Sequence, residues 1–254
     1  MELTTLLIVC PLVFLAGFVD AIAGGGGLIS LPGYLIAGLP PIQAVGTNKL
    51  ASSIGTSAAT FRMWRGGYIN FKLGVPAAIF AILGSIIGAH LVLITPEHYL
   101  KTIMLVIMPF VAVFVLRKKT FRDTTDPNIS FRRQVIMISL WSFIVGCYDG
   151  FYGPGAGTFM LIAFTVGVKL SIKEASGEVK VANLASNIAA LITFLMNGVV
   201  WVELGLIAAV FSLIGSYLGA GCIMKDGTKV VRPIIIVVLT ILSIKIILEL
   251  TGVI

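Results

Sequence analysis

The chain has 254 residues, 58% of them hydrophobic and 11% charged, with a mean hydropathy of +1.06. That composition excludes an ordinary soluble globular domain and places the chain in the integral-membrane class. The net charge of +7 does not point to nucleic acid, because the basic residues sit in short loops between apolar runs, where they set membrane orientation.

Residues 5–23 are expected to form a first apolar helix that stops at Gly24-Gly25-Gly26-Gly27, and 27–39 a shorter arm that holds Pro32 and closes at Gly38. About twenty residues are needed to cross the hydrocarbon core as a helix. The pair therefore reads as a helical hairpin whose second arm dips in and returns. Pro41 suits a first helical turn and opens a helix to Phe61, followed by spans at 73–94 and 99–116. The interval Arg117 to Arg133 is the long polar run and the natural linker. Beyond it come an apolar helix at 133–150, a glycine-proline break, a short arm at 156–168, and helices at 171–197, 203–223 and 231–250. Ser171-Ile172-Lys173-Glu174 is a capping box that fixes the start of the helix at 171. Cys10, Cys147 and Cys222 are far apart in apolar segments, against a disulfide framework or zinc site. His90 and His98 lack a ligand partner at metal spacing. No metal and no cofactor is expected, and no nucleophile–base motif of an enzyme is present.

The two halves repeat. At an offset of 129, Gly17 falls on Gly146, Asp20 on Asp149, Gly24 on Gly153 and Gly26 on Gly155. At 131, Lys49 falls on Lys180, and Gly84-Ser85-Ile86-Ile87-Gly88 on Gly215-Ser216-Tyr217-Leu218-Gly219, a small-residue face that lets two backbones approach. The loops at 62–72, 117–133, 169–173 and 225–232 hold three, six, two and three Lys or Arg, whereas those at 38–41, 95–101 and 198–203 hold only Lys101. By the positive-inside rule the rich side is the cytoplasm, and equivalent loops of the two halves face opposite sides. The expected fold is an all-α integral membrane protein with two inverted-topology repeats, each a broken, re-entrant helical hairpin plus three transmembrane helices. Its parts would be repeat 1 at 1–116, a basic cytoplasmic linker at 117–132 and repeat 2 at 133–254.

Inverted repeats with broken helices are the architecture of secondary transporters, whose site lies near the midplane between the repeats. The candidate substrate-binding residues are therefore those of the two breaks, Gly24, Gly25, Gly26 and Gly27 with Gly153, Gly155 and Gly157, and the polar groups beside them. Freed amides and the half-helix ends at the breaks would suit a small anion. Lys49 and Lys180, costly in a bilayer, either face that anion, snorkel, or pair with a carboxylate. Asp20 and Asp149 either carry a coupling proton or cap the amides of the break that follows. Thr47, Asn48, Asn183 and Asn187 either line the cavity or hydrogen-bond across helices.

The string GFVDAIAGGGGLISLPGYLIAGLPPIQAVGTNKLASS, its counterpart GCYDGFYGPGAGTFMLIAF and the segment KVANLASNIAA resemble the TauE/SafE sulfite exporter family over essentially the whole chain except the linker. The resemblance implies a multi-pass transporter of the cytoplasmic membrane that exports sulfite, a sulfonate or a related sulfur-containing anion. Its partners would be that anion, a coupling proton or ion, and membrane lipid. The second half departs from the pattern, with Glu178-Val179-Lys180 where Thr47-Asn48-Lys49 stands, so no symmetric role for Thr47 and Asn48 is implied. The alternatives are a non-transporting assembly or sensor subunit, and a transporter of a neutral or cationic solute.

Overall fold

A computed structural model of the protein describes residues 2–96, 99 and 128–226. The expected span at 99–116 beyond Tyr99, most of the linker at 117–132, the helix at 231–250 and His98 lie outside the described residues.

All regular structure among the described residues is helical. The elements are α1 (Leu3–Ala23), α2 (Gly27–Ile36), α3 (Pro41–Arg65), α4 (Phe71–Ile94), α5 (Phe131–Phe151), α6 (Ala156–Ile162, continued by a π-turn at Ala163–Gly167), α7 (Ile172–Met196) and α8 (Val202–Asp226). Five of them, α1, α4, α5, α7 and α8, are long and apolar enough to cross a membrane, and the protein is a multi-pass membrane protein. α3 has the length, 25 residues, but holds the polar run from Thr47 to Thr56. It runs one turn beyond the expected end at Phe61, and α2 stops three residues short of 39.

Local chemistry explains the boundaries. α1 ends because Gly24 adopts φ +75°, a left-handed conformation that glycine takes without a Cβ clash, and its N–H closes on Asp20 O. Gly153 at φ +96° and Gly155 at φ +81° turn the chain between α5 and α6 in the same way. α3 opens on Pro41, and α7 on the Ser171–Glu174 capping box.

The halves are interleaved. α1 packs along α8 and α4 along α5, while α3 packs on α8, α4 on α7, and α3 on α7. Exchanging each helix for its counterpart in the other half leaves this set of contacts unchanged. Small residues make the close approaches possible. A Cβ on Gly84 would lie 2.2 Å from Phe143 O, and one on Gly88 2.0 Å from Cys147 O; across the other pair, one on Gly215 would lie 2.2 Å from Phe14 O and one on Gly219 2.3 Å from Phe18 O. The stripe read from the sequence is therefore a backbone-to-backbone seam. Gly88→Ala is expected to destabilise the protein by about 1–3 kcal/mol through overpacking. Gly198→Asn, at an open position where a Cβ meets nothing within 4 Å, should leave thermal unfolding in detergent nearly unchanged.

Candidate functional site

The two breaks meet at the centre of the bundle. Thr158 N donates to Gly24 O at 3.2 Å, and Thr158 Oγ1 donates to Ala23 O at 2.6 Å. A Cβ on Gly24 would lie 2.1 Å from the carbonyl carbon of Gly157, and one on Gly157 2.6 Å from Gly24 Cα. Contact this tight admits only glycine on both sides. The first-turn amide of α6 at Thr158 is thus satisfied by the opposite half and does not face a cavity.

Around this contact the two lysines reach across the halves. Lys49, on α3 and 2% exposed, places Nζ 2.9 Å from Asp149 Oδ1 at the end of α5. Lys180, on α7 and also 2% exposed, places Nζ 3.2 Å from Asp20 Oδ2 at the end of α1 and donates to Asp20 O as well. Each lysine therefore neutralises the carboxylate beside the other half's glycine break. Of the readings open in the sequence, pairing holds and snorkelling does not.

The pairs differ in surroundings. Lys49 Nζ also donates to Asn187 Oδ1 at 2.8 Å, and Asn187 Nδ2 donates to Asn183 Oδ1 at 2.6 Å, while Ser186 Oγ donates to the other oxygen of Asp149. That network is enclosed, with the side chains of Lys49 and Asp149 at 3% and 4% exposure. The Asp20 side chain is 23% exposed, and its Oδ1 accepts from Gly26 N at 3.3 Å. Asp20 thus has the geometry of the capping reading; Asp149 holds a lysine and a serine instead.

Beside the Lys49 network lies a cavity of about 30 Å³, room for about two waters. Its polar lining comes from α1, α2, α3, α5, α7 and α8, and includes Asp20, Asn48, Lys49, Asp149, Asn183 and Asn187, with Gly26, Gly27, Gly153 and Gly157 as backbone wall. Ser212 and Ser216 of α8, with Ser52 and Thr56 of α3, belong to the same lining and were missed in the sequence. For Ser52 and Thr56 the signal was available, since they stand 131 residues before Asn183 and Asn187. Gly24, Gly25, Gly155 and Lys180 are buried around the cavity but are not part of its wall.

Thr47 is placed elsewhere. Its Oγ1 accepts from Trp201 N at 2.9 Å, at the start of α8. Its counterpart Glu178 does the same for the other half, with Oε1 accepting from Asn70 N at 2.6 Å at the start of α4. Asn70 and Trp201 are themselves 131 residues apart. The symmetric role that the residue types obscured is an acceptor for a helix-entry amide.

The chain is similar over most of its length to known membrane transporters. A family model described as sulfite exporter TauE/SafE matches residues 9–246. The chain is 34% identical over 236 residues to a probable membrane transporter protein, ORF9, of Sinorhizobium sp., covering 93% of this chain and 90% of the relative. It is 31% identical over 237 residues to a probable membrane transporter protein of Haemophilus influenzae, covering 93% and 92%. It is 30% identical over 239 residues to the probable membrane transporter protein YfcA of Escherichia coli K12, covering 94% and 88%. No solved structure matches it.

Proposed function

The chain belongs to the sulfite exporter TauE/SafE family of membrane transporters, and we propose that it exports a small sulfur-containing oxyanion, sulfite or a sulfonate, across the cytoplasmic membrane. The observation that carries this reading is the buried Lys49 ammonium beside the central cavity, held by Asp149 and Asn187. An oxyanion can take the place of the carboxylate on that ammonium. The displaced Asp149 would then be a buried charge with Ser186 as its remaining donor, which is costly unless it takes a proton. Co-movement of a proton is thus the route that keeps the site neutral.

The cavity as it stands has room for about two waters, less than an oxyanion needs, so the site opens by parting the halves. Two features support inverted repeats that expose the site to each side in turn: the contact pattern unchanged on exchange of halves, and the alternation of basic and basic-poor loops. With the cytoplasm on the basic side, the linker lies there too.

A second reading is favoured by one observation. Both central lysines are already paired with aspartates, so the described site is formally neutral, and a neutral or zwitterionic solute would fit without a compensating proton. Flux into proteoliposomes separates the two. We expect saturable uptake of labelled sulfite or a small alkanesulfonate, accelerated by a proton gradient. Movement of a neutral solute alone, with no small oxyanion carried, would overturn the proposal.

A further inference from the structure

Glu178 lies seven residues into α7, is 1% exposed, and takes no part in the central network. Its Oε1 accepts from the backbone of Asn70, the residue that caps the start of α4. Its Oε2 is buried without a hydrogen-bond partner and points at α4, where a Cβ on Gly74 would lie 3.0 Å from it. Among the described residues it forms no ion pair. The approach is fixed by Gly177, whose absent Cβ would lie 2.0 Å from Tyr68 O. Together these contacts hold the α3–α4 connection down on α7.

The opposite end of the molecule has the same device without a titratable group. There Gly46 packs on Val199 O, with 2.7 Å to a would-be Cβ, and Thr47 accepts from Trp201 N. A hydroxyl serves this purpose at one latch and a carboxyl at the other. For holding one N–H, a hydroxyl suffices; a buried carboxyl adds only the capacity to bind a proton.

We propose that Glu178 is a proton-binding site whose occupancy sets whether the latch between the α3–α4 connection and α7 is closed. In the closed latch a charged carboxylate has one N–H donor, one bare oxygen and no cation. Opened to water, the charged form gains far more solvation than the neutral form does. Loss of the proton therefore favours the open latch and retention the closed one, and by linkage opening the latch releases the proton. The other charged and titratable groups nearby do not replace it. Glu174, one turn earlier on α7, is exposed and bonded to Ser171; Lys173 lies 5.8 Å from the Tyr68 ring; Lys72 on α4 is exposed. This assignment takes its purpose, a proton-controlled gate on the basic-loop face, from the transporter reading, but its chemistry does not depend on that reading.

The test is hydrogen exchange of the segment 66–74 in the full-length protein in lipid nanodiscs, corrected for intrinsic exchange, from acidic to mildly alkaline pH. In the wild type, protection should fall by about tenfold or more as pH rises, the factor that corresponds to one unit of linked titration. Glu178→Gln and Glu178→Thr, the latter copying the other latch, should both be independent of pH. A wild type without pH dependence, or either variant retaining it, overturns the proposal. Oxyanion flux measured on the same preparations separates the two claims. A latch that titrates in a protein that moves no oxyanion would sink the substrate assignment alone; flux with a pH-independent latch would sink the Glu178 assignment alone.

Discussion

Lys49→Met is expected to lower stability by about 3–5 kcal/mol and to abolish transport, the largest effect of any single side-chain change in the site. The substitution keeps the length of the side chain but leaves Asp149 as a charge at 4% side-chain exposure with Ser186 as its donor. A buried ion pair is not itself strongly stabilising, because desolvation of both partners offsets most of their attraction; the penalty comes from removing one partner alone. The double variant Lys49→Met with Asp149→Leu should therefore recover most of the stability while remaining inactive. Lys180→Met should be milder, roughly 1–3 kcal/mol, because the Asp20 side chain is less enclosed, at 23% exposure, and keeps the Gly26 N–H as a donor. Chemical unfolding in detergent, run beside the flux assay, reads all three.

The second large effect belongs to the central glycines. Gly24→Ala adds a Cβ 2.1 Å from the carbonyl carbon of Gly157 and 2.3 Å from Thr158 N, at a φ of +75° that L side chains rarely adopt. Backbone strain of about 1–3 kcal/mol and overpacking of similar size add here, since the opposing atoms are backbone and cannot rotate away. Little folded protein is expected. Gly38→Ala isolates the strain, because Gly38 has φ +88° but nothing within 4 Å of its Cβ position. That variant should fold with a modest loss of unfolding temperature. Equal behaviour of the two would show that the breaks do not need to touch.

Much of this arrangement is legible in residue order because it is local or repeated. The Gly24 break, the start of α3 at Pro41 and the capping box at Ser171 each follow from the conformational demands of a few neighbouring residues. The glycine stripes of α4 and α8 are visible because the same spacing occurs twice. What the order of residues does not state is which charge meets which. Lys49 and Asp149 stand 100 residues apart in the chain, and both lysines lie at comparable depth to both aspartates. A pairing within each half was as plausible by spacing as the crossed pairing observed.

Glu178 is instructive for the opposite reason. Set against Thr47 it looks like a broken repeat, since the two side chains share neither size nor charge. Both are nevertheless acceptors about two turns into their helices, and each receives the entry amide of the helix that follows the opposite connection. Equivalence there lies in hydrogen-bond capacity, which residue identity conceals. For Thr47 the cross-helix hydrogen bond is the reading that holds: one residue along a helix is a rotation of about 100°, and that turns its hydroxyl away from the cavity lined by Asn48 and Lys49 and toward Trp201.

The account stands on Lys49 as the group that receives the substrate anion. Equilibrium binding of labelled sulfite to the purified wild type and to the folded Lys49→Met, Asp149→Leu double variant tests it without reference to direction or driving force. Saturable binding to the wild type and none to the double variant is the expected result; equal affinity in the two would contradict it.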